Sequence, residues 1–504
     1  CSAPLNGNYT IGGTPGPTNF ANFNLADSNL ITCGVAGPVI FKVSPGTYTG
    51  AIDLPAITGA SATNTITFEG ASSSNTIITA TTSGAAPAVV RLNGCSYVTF
   101  RNFTIRTTDG TNGWAVHFFN GLNNRVNNCI LDIAGPGATA TGSNLAGVVI
   151  NGSYTSITGS NSTGNGHIVD SSTFNAGYYN IYTTAGSAVT YSFLYNTLNN
   201  AYQYGGYFNS SHTIKFNYNT VNLRPTFTGN YCLRYFNCNA PGTHEINNNR
   251  FIGIGTYGIQ LQTSGGGSGS GQIYNNFFSG FRNTTSCYGI QNGSSSSWKV
   301  WHNNINIDVN ATSGTSTCIG LSSGSGFDIR NNHLSITANP CVGAVPMSFT
   351  STSCASTVDY NNYFNAANTS LSAIPTVLTA GTYLAAYPTG IGANSMNTNP
   401  GYVNNSTNLH VTNPCLNGTN LGLTTDIDSQ ARSSTPDIGA DEIPSFSLDA
   451  MVMAIRSPAT AIVTPGSPYT VTITVRNAGT TTITDLDANY SVNGSVTSQS
   501  FPRL

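Results

Sequence analysis

Along most of this chain, short runs with alternating apolar and polar positions are separated by turn residues, and one turn position returns at a nearly regular interval. One set of runs opens on an aromatic or a branched residue: Trp114-Ala-Val-His, Tyr204-Gly-Gly-Tyr, Tyr231-Cys-Leu-Arg, Tyr257-Gly-Ile-Gln, Tyr288-Gly-Ile-Gln and Ile319-Gly-Leu-Ser. Alternation with a period of two marks a strand. A second set carries an asparagine, at Asn102, Asn128, Asn196, Asn219, Asn249, Asn276, Asn304, Asn332 and Asn362, with Ser172 standing in once. The spacings are 26, 44, 24, 23, 30, 27, 28, 28 and 30 residues.

Units this short cannot bury a core alone, so each must rest on the next. No run holds a helical spacing over three turns, and Asn, Gly, Ser and Thr favour turns over helix interiors. The fold class expected is all-β: a right-handed parallel β-helix solenoid. Nine intervals at about 4.8 Å per rung make the asparagine column roughly 43 Å long. The asparagine suits a turn because it tolerates the left-handed region and bonds neighbouring backbone. Stacked amides also bond from rung to rung. It therefore reads as a structural ladder that carries no information about a substrate.

The repeat divides the chain. Residues 1 to 37 lack it and read as an N-terminal cap. Residues 38 to 445 read as the β-helix, with an irregular closing segment from 363. Two excursions, 135 to 144 and 152 to 166, account for the spacing of 44 and are expected to project as loops, where binding tends to sit. From 446 to 504, alternating strands broken by Pro465-Gly466 and Asn477-Ala-Gly479 read as the start of an immunoglobulin-like β-sandwich. With about 100 residues in a complete domain of that kind, the segment is expected to be incomplete.

Composition narrows the class. Charged residues make up 7% of the chain, and 16 basic residues nearly balance 18 acidic ones. That excludes a polybasic nucleic-acid surface and argues against electrostatic membrane attachment. No apolar stretch approaches the roughly 18 residues of a membrane span. No leader precedes Cys1, and one is expected to have been removed. Eleven cysteines with an Asn/Ser/Thr/Gly-rich surface suit an extracellular protein, at the cell surface or released. No C-x-x-C pair points to metal. Three disulfides are candidates: Cys1 with Cys33 over the first rung, Cys341 with Cys354, and Cys287 with Cys318 on adjacent rungs.

Candidate chemistry is sparse. Hydrolysis of a glycoside takes two carboxylates about 5 to 9.5 Å apart. Between residues 86 and 362 the only acids are Asp109, Asp132, Asp170, Glu245, Asp308, Asp328 and Asp359, with no Asp-Asp pair. The weak catalytic candidates are His167 and Asp170 beside the 152 to 166 excursion, with His117 on a nearby rung. Against them, a His and an Asp three apart on a strand point to opposite faces. Asp426, Asp428, Asp437, Asp441 and Glu442 resemble a calcium loop, but Ala431 occupies the position where glycine is required and Arg432 stands beside them. A structural closing knot is the preferred reading. No cofactor or metal is expected.

Aligning the first strands puts Arg91, His117, Ile150, Tyr207, Arg234, Gln260, Gln291 and Ser322 at one outward position. Rings, guanidinium groups and amides in a row suit a polysaccharide or cell-surface glycan, with sugar faces stacking on aromatics. The alternative is an ordinary polar strand face.

The stretches Leu5-Asn-Gly-Asn-Tyr-Thr-Ile-Gly, Gly37-Pro-Val-Ile-Phe-Lys-Val with Pro45-Gly-Thr-Tyr, Asn64-Thr-Ile-Thr-Phe and Asp437-Ile-Gly-Ala-Asp-Glu resemble the large β-helix proteins that Bacteroidota export to their surface. The end resembles their CARDB-type modules. The resemblance implies export, commonly by the type IX system, and a role as a surface adhesin or filament segment, with self-association through the final sandwich conceivable. The same superfold carries polysaccharide lyases and polygalacturonases, so an enzyme of either kind is the alternative. The polygalacturonase-like Asn-Thr-Asp and Gly-His-Gly motifs and the lyases' arginine-rich signature are absent.

Overall fold

The computed structural model describes residues 3–186, 188–210, 212–237, 242–262, 270–293, 297–323, 326–350, 354–367, 370–374, 376–379, 392–413, 416–443, 450–457, 470–477, 481–492 and 495–502. Three sheets of 14, 12 and 13 strands run the length of a solenoid, each strand pairing with its counterparts one rung before and one rung after. Pairing between rungs is parallel, as in Val98–Arg101 against Arg125–Asn127 and Tyr231–Phe236 against Tyr257–Gln262, and sheet 3 ends in an antiparallel pair, Ser370–Ile374 with Thr376–Thr379. The parallel β-helix expected from the repeat is the fold.

Each coil has three strands where the sequence pattern suggested two. Val98–Arg101 lies in sheet 1, Thr104–Thr107 in sheet 2 and Asn112–Phe119 in sheet 3. The asparagine-bearing run is split by one residue in the left-handed region, which bends the chain from sheet 1 into sheet 2. Asn102, Asn128, Ser171, Tyr195, Tyr218, Asn248, Asn275, His302, Asn331 and Tyr360 all hold that position, with φ between 51° and 65°. Asparagine is favoured there because its side chain lowers the cost of the left-handed conformation.

The ladder occupies the next residue. The Asn196 amide N–H donates to Asn219 Oδ1 at 2.8 Å, Asn219 to Asn249 at 2.8 Å, Asn249 to Asn276 at 2.9 Å and Asn276 to Asn303 at 3.1 Å. Asn303, Asn332 and Asn361 extend it at 3.0 Å per step. Each Nδ2 bonds in turn to a strand carbonyl inside the coil, as Asn249 does to Phe216 O at 2.8 Å. Four expected members therefore shift by one. Asn102 and Asn128 hold the left-handed position instead, while Asn304 and Asn362 start sheet 2 strands. In the Asn303-Asn304 and Asn361-Asn362 pairs the sequence offers two amides, and only the first faces the interior.

Inside, apolar side chains stack along the axis, as in Phe41, Phe68 and Phe100 at 4.9 and 4.8 Å. The N-terminal cap contains an 11-residue helix, Phe23–Cys33, with the Asn22 side chain accepting from the Leu25 N–H. Phe23, Ala26 and Leu30 bury its inner face. This helix was not legible in the alternation because a single three-residue stripe is too short a signal.

The segment after the last asparagine is less irregular than its text. It weaves back and forth across the later rungs over the turn between sheets 1 and 2. Asn362 Nδ2 donates to Thr398 O, Asn304 Nδ2 to Leu409 O, Asn331 Nδ2 to Thr419 O, Asn275 Nδ2 to Thr425 O and Asn248 Nδ2 to Asp426 O, at 2.6–2.8 Å. The outward asparagines of the later rungs thus hold a strap. Near its end Arg432 meets Glu442 at 3.2 Å. Asp426, Asp437, Asp441 and Glu442 all accept backbone N–H groups. These acids thus tie the end of the segment to its own backbone and to Arg432.

Beyond it lie two antiparallel pairs, Ala450–Ser457 with Thr472–Asn477 and Asp485–Val492 with Ser495–Pro502. No helix among the described residues is long and apolar enough to cross a membrane.

Two of the three disulfide expectations need correction. Cys287, Cys318, Cys341 and Cys354 are free and buried. Tyr288 pairs with Thr317, so Gly289 stands opposite Cys318, and Cys287 lies two residues out of register with it. Cys341 bridges to Ala311, whereas Cys354 precedes the strand Ala355–Asp359, on a different side of the coil. Cys1 lies outside the described residues, and Cys33 is not among the free thiols.

Candidate functional site: the outward face of sheet 3

Sheet 3 presents two outward columns three residues apart. Backbone register traces one through Trp114, Ala146, Tyr179, Tyr204, Tyr231, Tyr257 and Tyr288. The other passes through Asp53, Arg91, His117, Val149, Tyr182, Tyr207, Arg234, Gln260, Gln291 and Gly320. Six of the expected binding residues, Arg91, His117, Tyr207, Arg234, Gln260 and Gln291, do share a column. Ile150 and Ser322 are displaced by Val149 and Gly320. Tyr182 was missed, although Tyr179-Asn-Ile-Tyr182 repeats the spacing of Tyr204-Gly-Gly-Tyr207 and was the available signal.

The two ends of the face differ. Over the early rungs the 152 to 166 excursion folds down onto the sheet, packing Ile157 with Trp114, Val149, Tyr179 and Tyr182. Arg91 donates through Nε to His117 Nδ1 at 3.1 Å, through Nη1 to Asp53 at 3.2 Å and through Nη2 to Tyr154 O at 2.9 Å. His117 bonds through Nε2 to Asn151 Oδ1 at 2.9 Å. Burial, with Arg91 beside it, pushes His117 down to about 3, so the ring is neutral. The expectation that Arg91 and His117 face solvent fails because the excursion covers them.

Further along, the face is half open. Tyr204 is 9% exposed, and Tyr231, Tyr257 and Tyr288 are more so. Their rings stack on one another: Tyr179–Tyr204 at 5.3 Å, Tyr204–Tyr231 at 5.0 Å, Tyr231–Tyr257 at 4.6 Å and Tyr257–Tyr288 at 5.1 Å, with interplanar angles of 8–29°. Tyr182 and Tyr207 stack likewise at 5.3 Å. Ring faces are therefore occupied by neighbouring rings, and the column offers edges and hydroxyls. The sugar-on-ring stacking expected from the sequence gives way to a comb of phenols.

Arg234 lies among Tyr207, Tyr231 and Phe236, 5.2–5.6 Å from their ring centres. It donates to Tyr204 Oη at 3.1 Å and to Gln262 Oε1 at 2.8 Å. Gln260 Nε2 donates to Gln291 Oε1 at 2.9 Å. Burial and the neighbouring phenols push Tyr257 up to about 12, which keeps it a donor at neutral pH.

His167 and Asp170 are not brought together. His167 is enclosed between Phe118 at 4.7 Å and Tyr191 at 5.6 Å, accepts from Asn124 N–H at Nδ1 and bonds Asn120 O through Nε2. Burial pushes it down to about 3. Asp170 points out of sheet 1 into a bidentate pair with Arg125 at 2.6 and 2.8 Å. The two side chains lie on opposite faces, each engaged by its own neighbours. In the strap, His410, Asp428 and Asp441 bring three ligand atoms within 4.8 Å, but Arg250 and His410 already pair with Asp428 at 2.7 and 2.5 Å.

No protein-family model matches the chain, and neither does any curated protein. Among solved structures it is similar to the A-module of the mannuronan C-5 epimerase AlgE4 of Azotobacter vinelandii, at 11% identity, covering 74% of this chain and 96% of that one with a TM-score of 0.45. It is also similar to a PL6 family polysaccharide lyase from Pseudopedobacter saltans, at 13% identity, covering 82% and 97% with a TM-score of 0.37. Likeness at this level concerns the course of the backbone alone.

Proposed function

We propose that this chain binds a polysaccharide along the open end of the sheet 3 face. The observation that carries the reading is the phenol comb: one tyrosine per rung from Tyr204 to Tyr288, with Arg234, Gln260 and Gln291 beside it. Hydroxyls, amides and a guanidinium at rung spacing pair with the hydroxyls of an extended sugar chain. The test is glycan-array and calorimetric binding by the full chain and by Tyr257→Phe/Tyr288→Phe. That variant keeps the stacked rings and removes only the hydroxyls. Lost binding with an unchanged Tm supports the comb, and undiminished binding overturns it.

A second reading, a lyase acting on the bound polymer, rests on the Tyr204–Arg234 hydrogen bond. A phenol oxygen held by a guanidinium is a candidate proton carrier for elimination. Hydrolysis is disfavoured, since among the described residues Asp53, paired to Arg91, is the only carboxylate in these two columns. Ultraviolet absorbance from unsaturated products separates lyase from binder. The near-neutral, weakly charged composition supports a place outside the cell, which secretion assays of the full-length protein address. The adhesin or filament role further requires self-association, read by sedimentation.

A further inference from the structure

A second cleft, on another side of the solenoid, has no part in the reading above. It lies on the outward face of sheet 2, where the 135 to 144 excursion stands over the strands Thr104–Thr107, Ile130–Asp132 and Thr173–Asn175. Its volume is about 400 Å³. Small-molecule pockets run from about 300 to 1,000 Å³. The wall is built: Arg224, itself buried, donates from Nη1 to Thr139 O at 2.8 Å and Ala140 O at 3.0 Å, tying the excursion down.

The floor holds an incompletely satisfied ion pair. Arg106 Nε meets Asp132 Oδ2 at 2.7 Å. Asp132 is 2% exposed, yet its Oδ1 has no donor among the described residues. A buried carboxylate oxygen without a donor is costly and calls for an O–H or N–H from a bound molecule. Next to Asp132 in register stands Asn175, whose amide makes no hydrogen bond among the described residues, and the Arg106 Nη groups make none either. Ile77, Ile130 and Pro136 supply apolar surface.

From this arrangement we infer that the cleft is a binding site for a neutral saccharide unit. The Arg106–Asp132 pair cancels its own charge, so a free cation is opposed by Arg106 and a free anion by Asp132. What remains is one acceptor beside several donors over apolar ground. Adjacent hydroxyls on a ring with C–H faces complement that set, the hydroxyl donating to Asp132 and accepting from Arg106 or Asn175.

Saturation-transfer NMR and calorimetry on the full chain, with D-glucose, D-galactose, D-mannose, N-acetyl-D-glucosamine and disaccharides of glucose and galactose, test the assignment. At least one of these sugars is expected to bind. Ala138→Trp, which fills the cleft from the excursion, and Asn175→Leu, which removes the amide, each reduce that affinity at least tenfold without lowering Tm. Both leave the buried ion pair intact. Arg234→Ala leaves the affinity unchanged. If no sugar of the set binds, the cleft holds only water and the inference fails. It fails equally if binding survives Ala138→Trp, or if it is lost with Arg234→Ala, which would move the sugar to the phenol comb.

Discussion

The two ends of the sheet 3 face share the same columns and the same register, yet one end is interior and the other is surface. At the early end, Arg91 and His117 sit in the column that later holds Arg234, Gln260 and Gln291. Arg91 and His117 are covered by the 152 to 166 excursion and spend their hydrogen bonds on it. Arg234 shares its bonds with a phenol and an amide at a half-open surface. A repeat position in a solenoid thus fixes direction, while the excursions decide whether that direction leads to solvent. The polysaccharide binding proposed for this face is assigned to the end that no excursion covers.

The comparison breaks most sharply at the two arginines. Arg91→Leu leaves Asp53, His117 and the Tyr154 carbonyl without their donor, and an expected loss of about 3–5 kcal/mol shows in denaturant unfolding. Arg234→Ala is expected to cost about 1–2 kcal/mol of stability and to abolish polysaccharide binding at the phenol comb, leaving the sheet 2 cleft untouched. Equal stability losses at the two sites would erase the distinction between covered and open ends.

Acid should separate the ends next. The folded-state value of His117 lies below its ordinary one, so its contribution is fully present above about pH 6.5 and is lost as pH falls toward about 3. Hydrogen exchange in residues 152 to 166 is expected to accelerate over that window, with His117→Gln flattening the response. His167, also pushed down to about 3, contributes with the same sign. Neither column of the open stretch from Tyr204 to Tyr288 contains a group that titrates there, so its exchange follows only the global acid loss.

A smaller effect is expected from Tyr231→Ala, which interrupts the stack between Tyr204 and Tyr257. Stability should fall by about 1–2 kcal/mol and glycan affinity about tenfold. The smallest is Gln260→Ala, which removes one amide from a pair with Gln291 and should weaken binding about two- to threefold, read by calorimetry.

Much of the fold was legible. The recurrence of asparagine announces coils, and the alternation in Tyr257-Gly-Ile-Gln says which side chains leave the core. Six column members were found from that alignment alone. The errors were errors of register: Ile150 for Val149, Ser322 for Gly320, Asn304 for Asn303. Each arises where neighbouring residues are alike or a strand begins a residue or two early, and a period-two pattern turns such slips into wrong partners. The Cys287–Cys318 pair failed for the same reason, and Cys341 and Cys354 failed because they lie on different sides of the coil.

By itself the sequence determined the period, the parallel stacking, the left-handed bend and the outward direction of the columns, because these follow from local backbone preference repeated many times. Tertiary structure decided the rest. It divided the asparagines into an interior ladder and an outer row that grips the returning strap, buried His117 beneath an excursion, and turned the tyrosine faces toward one another. Those outcomes depend on segments far apart in the chain meeting in space, and no local pattern records where an inserted loop comes to rest.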